Sequence, residues 1–169
     1  IGTTTQLTGL PAGGSWSSGT PAVGAVSSAG LVTGVTDGTT VITYTDGNGC
    51  LITATVTVNG NPTAVISPNP AEVCAGIDLV MNGNPAAGSG IYTAHSWTNT
   101  GSSSLDDPNT VDPTFNNGIA STYDLTYTVT DNNGCIGTDD VTVTVNPLPT
   151  ITGTLITCVN GSLTLSGSG

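Results

Sequence analysis

Two stretches of this sequence nearly repeat one another, and that repetition limits the fold more than any other feature. Residues 44–50 read YTDGNGC and residues 129–135 read VTDNNGC. Each copy runs on into the same five residues, TVTVN, at 55–59 and again at 142–146. Asp, Asn and Gly at the centre of each copy supply the Asx and positive-φ positions that tight hairpin turns require. The residues that follow alternate apolar side chains with threonine, and period-two alternation marks a half-buried strand. Threonine is β-branched, so it favours extended chain while keeping the wet face polar. Each copy therefore predicts strand, turn, cysteine, strand, with the apolar residues of 53–58 and 141–145 facing a core. Residues 41–44 and 123–129 are predicted as further strands of this kind. Helix signals are nearly absent, because 24 Gly and 10 Pro interrupt every 3.6-residue pattern.

The repeat also sets the module boundaries. A proline follows each TVTVN closely, Pro62 and Pro147, and reads as a joint. One module is expected over 1–60, a second over 61–146, and the first strands of a third over 147–169. Residues 159–167 resemble 1–9, with Leu165, Ser166 and Gly167 matching Leu7, Thr8 and Gly9. On that register Cys158 falls one position before Ile1, so the first module is expected to lack its first strand and first cysteine. Ile1 is not a start methionine and no basic-then-apolar leader precedes the pattern. The chain reads as an internal piece of something longer, or as a processed product.

Composition removes most functional classes. The chain has no Lys or Arg, 11 Asp plus Glu and one His, for a net charge of −11. Nucleic-acid binding needs cations facing phosphates, so no nucleic acid is expected as a partner. The same absence argues against docking on an anionic membrane surface. No apolar run approaches the ~18 residues a spanning helix needs, so no membrane insertion is expected. Trypsin-like proteases find no cleavage site, which suits a protein that persists outside a cell. Four cysteines, Cys50, Cys74, Cys135 and Cys158, fit an oxidising compartment. A metal site is the competing reading, but the spacings are long and no CxxC occurs, so disulfides are preferred.

Residues 14–23, GSWSSGTPAV, lead into PAVGAVSSAGLVTGVTDGTTVITYT at 21–45. This segment resembles bacterial Ig-like modules of the BIG2 type. The second module resembles the PKD-like modules of large cell-surface adhesins, through Ser96-Trp97 and the run 123–145. It departs from that pattern in lacking an FGDG turn after Trp97. Alternation of such modules is similar to that in giant adhesins and filament proteins of Bacteroidota. The resemblance implies a secreted, cell-surface location and a role in attachment, surface motility or fibre formation. It also implies an all-β fold of tandem Ig-like sandwiches in a linear array, with Trp16 and Trp97 as large core residues.

Four cysteines allow three pairings. Cys74 follows an early strand of the second module and Cys135 opens its last strand, so an intramodule Cys74–Cys135 bond is expected. It would stabilise by about 4 kcal/mol in the chain-entropy model. Cys50 is equivalent to Cys135 and Cys158 to Cys74, and their partners are expected outside this chain or in a neighbouring copy. A C-terminal segment of one copy could complete the first module of the next by strand addition.

Catalysis is not expected. His95 and Ser96 are adjacent on a strand and point to opposite faces, so they form no dyad. The pairs Asp106-Asp107 and Asp139-Asp140 come with no sign of a cleft. No cofactor is expected. The alternative is Ca²⁺ in the loop 102–117, where Asp106, Asp107, Asn109, Asp112 and Asn116 offer oxygen ligands, against a reading of the same residues as turn formers. The function expected is a structural repeat of a stalk, adhesin or filament, with neighbouring copies or modules as partners. The alternative is a carbohydrate- or protein-binding module. Surface glycans would then be partners, and Tyr92, Phe115 and Tyr123 would form an open aromatic platform.

Overall fold

The computed structural model describes residues 2–101, 104–151 and 167–168, all of them strand, turn or irregular chain. The all-β class expected from the sequence is what the structure shows. In chain order the strands are β1 (Thr4–Gln6), β2 (Ser15–Ser18), β3 (Gly24–Val26), β4 (Leu31–Gly34), β5 (Gly38–Thr45) and β6 (Leu51–Val58). They continue as β7 (Pro62–Thr63), β8 (Ala71–Cys74), β9 (Leu79–Val80), β10 (Ala86–Ala87), β11 (Tyr92–Asn99) and β12 (Ser104–Leu105). The last are β13 (Thr114–Asn116), β14 (Ser121–Asp131), β15 (Ile136–Asn146), β16 (Thr150–Ile151) and β17 (Gly167–Ser168).

The chain divides into two compact units. One is Ile1–Ala64 with Pro85–His95 and Thr128–Thr138; the other is Val65–Asn84 with Ser96–Tyr127 and Asp139–Gly169. Strands β11, β14 and β15 carry residues of both.

In the first unit, sheets β1-β4-β3 and β2-β5-β6 make a small sandwich. Strand β5 is its centre and pairs antiparallel with β2 and β6, Trp16 opposite Tyr44 and Tyr44 opposite Ile52. Thr40, Ile42 and Tyr44 of β5 are buried with Val32 and Val58. Thr40 is therefore a core residue and Val41 is 44% exposed, the reverse of a rule that sends valine in and threonine out. The bulk of Ile42 and Tyr44 sets the phase of the strand. The Thr40 hydroxyl is satisfied by Ser18 Oγ and by the Thr20 N–H, each at 3.0 Å, which removes the cost of burying it.

The second unit is built around Met81, Trp97, Phe115, Leu125, Val143 and Val145, all buried. Sheet β9-β13-β12 supplies Phe115, and sheet β11-β14-β15-β8 supplies the rest except Met81. Trp97 packs on Tyr127 with ring centroids 4.8 Å apart and donates Nε1–H to the Thr110 carbonyl at 3.0 Å. Trp97 is the core residue the sequence predicts. Trp16 is only half-buried, tilted on Tyr44 at 4.7 Å.

Candidate functional site

The two repeated turns are superimposable in their bonding. In each, the Asp N–H donates to the cysteine carbonyl, at 2.9 Å for Asp46 to Cys50 and 3.0 Å for Asp131 to Cys135. In each, one carboxylate oxygen accepts two backbone N–H groups, from Asn48 (2.8 Å) and Cys50 (2.9 Å), or from Asn133 and Cys135 (both 2.9 Å). Gly49 and Gly134 sit at φ +83° and +77° and donate back to the Asp carbonyl, a conformation that a side chain would strain. The motif is thus a closed local unit, which is why its sequence alone predicts it. The second copy has outside contacts that the first lacks: Asp131 also accepts the Ser89 N–H at 3.0 Å, Asn132 N–H donates to the Ile91 carbonyl at 2.9 Å, and Asp131 is almost fully buried. Burial pushes its carboxyl up, but the N–H groups of Cys135, Ser89 and Asn133 outweigh that and hold it below the usual value.

The last strands diverge. In β15, Val141, Val143 and Val145 are all buried. Their counterparts in β6 are Ala54, which is exposed, Val56, half-buried, and Val58, buried. The predicted core face of 53–58 is therefore covered only at its end. The cause lies at the sheet edge. Strand β8 pairs parallel with β15, Ala71 opposite Val143 and Cys74 opposite Asn146. Strand β6 ends its sheet, in the order β2-β5-β6, and no described strand covers its outer edge.

A concavity of about 410 Å³ runs along that edge within the first unit. Thr3, Thr5, Val56, Val58, Asn59 and Cys135 are among the residues that line it. Farther along the same strand, Leu51 and Ile52 are 67% and 68% exposed. This groove brings together an open β edge, apolar side chains and a cysteine.

The cysteines do not pair as the sequence predicts. Cys50, Cys74 and Cys135 are all free thiols, and Cys158 lies outside the described residues. Cys74 ends β8 opposite Asn146, the last residue of β15, and Cys135 closes the second repeated turn.

The other candidates are dispersed. Asp106 accepts the N–H groups of Thr114 (2.6 Å) and Asp107 (2.7 Å), which hold its carboxyl below the usual value. Asp107 accepts from Asn109 at 2.9 Å. The Asn116 amide donates to Asp78 and to the Gly76 carbonyl. These carboxylates bond to backbone in turns, and no group of three His, Cys, Asp or Glu able to hold a metal occurs among the described residues. His95 is half-buried, edge-on to Tyr92 at 6.5 Å, and Ser96 is exposed. Phe115 is fully buried and packs on Tyr123, itself 8% exposed, at 5.7 Å. Tyr92 is half-buried and donates to the Ala87 carbonyl. The three aromatics do not form an open platform.

No family model matches the chain, and no curated protein sequence does. Among solved structures it is similar to a nucleoside hydrolase-related hypothetical protein from Saccharophagus degradans, at 16% identity and TM-score 0.47 over 53% of this chain and 26% of that one. It thus spans about a quarter of that protein. It is also similar to domains 4 and 5 of the S-layer protein SbsC, at 20% identity and TM-score 0.35 over 78% and 70% of the two chains. A third likeness is to fibronectin(III)-like modules of Clostridium thermocellum CbhA, at 15% identity and TM-score 0.42 over 70% and 67%.

Proposed function

We propose that this chain is a structural repeat segment of an extracellular bacterial stalk, adhesin or filament, built from BIG2-type and PKD-like Ig modules. The observation that carries the reading is the repeated Asp–turn–Cys hairpin. The same closed hydrogen-bond set recurs in two places and each time launches a long strand ending in TVTVN. A chain that spends its chemistry on repeated hairpins, and its aromatics on packing, spaces and bears load. A net charge of −11 with no cation keeps such a surface soluble.

The test is immunogold electron microscopy of intact cells with antibody against this chain. Label along surface fibres supports the reading. Label confined to the cytosol sinks it. Glycan binding by the purified chain, lost on replacing surface loop residues, would favour the binding-module alternative.

A further inference from the structure

We infer that β6 pairs antiparallel with β6 of a second copy of this chain, about a two-fold axis at Ala54, so that each copy's exposed Ile52 fills the other's groove. The pairing goes beyond the structural-repeat reading and does not depend on it, since it concerns only how two chains meet.

The backbone of β6 is set for such a partner. Strand β5 turns Val41 toward β2, because the Gly19 N–H donates to the Val41 carbonyl at 2.8 Å. Its neighbours Thr40, Ile42 and Tyr44 therefore bond toward β6, opposite Val56, Ala54 and Ile52. The closing bond of the hairpin, Asp46 N–H to the Cys50 carbonyl at 2.9 Å, falls in the same phase. Alternation then leaves the N–H and C=O groups of Leu51, Thr53, Thr55 and Thr57 pointing away from β5, along the edge that no described strand covers. The ladder with β5 is unbroken by a bulge, and residues 51–58 hold no proline and no charge. Bulges, prolines and charges are the devices by which an edge strand refuses a neighbour. No carboxylate side chain occurs between Asp46 and Glu72, so a chain of net charge −11 can meet its own copy along β6 without setting acid against acid.

The side chains select a second copy as the occupant. Ile52, Ala54 and Val56 lie on the inner face of their sheet, opposite the buried Tyr44, Ile42 and Thr40. Yet Ile52 is 68% exposed, and Ala54 is exposed as well. Turned about Ala54, the strand meets itself with Thr53 opposite the partner's Thr55, Ile52 opposite the partner's Val56, and Leu51 opposite the partner's Thr57. The outward groups of 51, 53, 55 and 57 then bond to one another, and the inner faces of both copies stay in phase. The partner's Ile52 comes to lie beside Val56, one of the residues that line the concavity. One strand thus carries an apolar knob near its start and an apolar recess near its end, and a two-fold contact uses both twice. At the axis the two Ala54 residues form a non-hydrogen-bonded pair, with Cα atoms about 4.5 Å apart.

The experiment follows the full chain in reducing buffer by sedimentation and amide hydrogen exchange over a range of concentrations. The expected result is a monomer–dimer equilibrium with nothing larger. Amides of residues 53, 55 and 57 exchange more slowly as dimer forms, while those of 52, 54 and 56 are protected throughout. Thr55→Pro removes an outward N–H from each copy and none that β5 uses, and it weakens the dimer by roughly tenfold or more. With the four native cysteines replaced by serine, Ala54→Cys cross-links two copies under oxidised glutathione, because the pair at the axis lies within disulfide reach. Thr57→Cys, far from the axis, does not. A chain that stays monomeric overturns the inference, and slow exchange at 53 and 55 in that monomer would mean that its own chain covers the edge. A dimer that leaves 53, 55 and 57 exchanging freely overturns it, as does one that a folded Thr55→Pro leaves unchanged. So do open-ended oligomers, and so does an Ala54→Cys chain that fails to cross-link. Where Thr55→Pro does not fold, exchange and cross-linking decide. None of these results bears on the stalk reading, which the surface label decides by itself.

Discussion

The hairpins β5–β6 and β14–β15 share a turn and a closing pentapeptide, yet one last strand is a core strand and the other an edge. Val143 is fully buried; Val56, its equivalent, is half in water. The residues are identical, the turns are bonded alike, and both hairpins have a tyrosine stacked on a tryptophan, Tyr44 on Trp16 and Tyr127 on Trp97. What differs is four residues from elsewhere in the chain, β8. A strand becomes core when a neighbour closes its edge and a second layer covers its face. The pattern only makes it eligible.

The sharpest way to break the contrast is to remove the cover from β15. Ala71 is 1% exposed opposite Val143, so Ala71→Asp places an uncompensated charge in the core. It should destabilise by about 3–5 kcal/mol, read by urea denaturation. A loss below about 1 kcal/mol would mean β8 is not what buries β15.

Next comes truncation of the matched valines. Val143→Ala should cost about 2 kcal/mol, from lost transfer energy plus a cavity. Val56→Ala should cost under about 1 kcal/mol, because its side chain is partly solvated already. Equal losses would erase the distinction between the two strands.

The turns offer a smaller contrast. Asp131→Ala leaves three backbone N–H groups without their acceptor and Asp46→Ala leaves two, so the first should lower the melting temperature more. Since the folded carboxyl of Asp131 is held below its ordinary value, its contribution is complete above the unfolded pKa of about 3.9. It is lost as pH falls through the lower folded value. Asp106 is lowered too and acts in the same direction. Asp131→Asn should therefore flatten the acid limb of a melting-temperature–pH profile. An unchanged limb would show that this buried carboxylate is not linked to folding.

The smallest expected effect is on association at the open edge. Each copy carries −11 with no positive residue, so copies repel over roughly 10 Å at 0.1 M salt. Raising ionic strength should tighten self-association, measured by sedimentation. Weakening with salt would point to an attractive charge pair that the sequence does not contain.

Much of the fold was legible because its determinants are local. The hairpin turns follow from Asp, Asn and Gly within five residues. The strands follow from period-two alternation, and β14 obeys it throughout, burying Tyr123, Leu125, Tyr127, Val129 and Asp131 in turn. The phase of β5 was less legible, because a threonine hydroxyl can enter a core if partners wait there, and those partners come from β2 and the loop after it. The groove was not legible, because an open edge depends on which strands from elsewhere in the chain pair with β6.

By itself, then, the sequence determined the all-β class and the repeated hairpins, because turn geometry and alternation need no knowledge of distant residues. Tertiary structure alone decided which TVTVN is buried. Burial depends on what lies across a strand, and here that is β8, some seventy residues away from β15 in sequence and parallel to it.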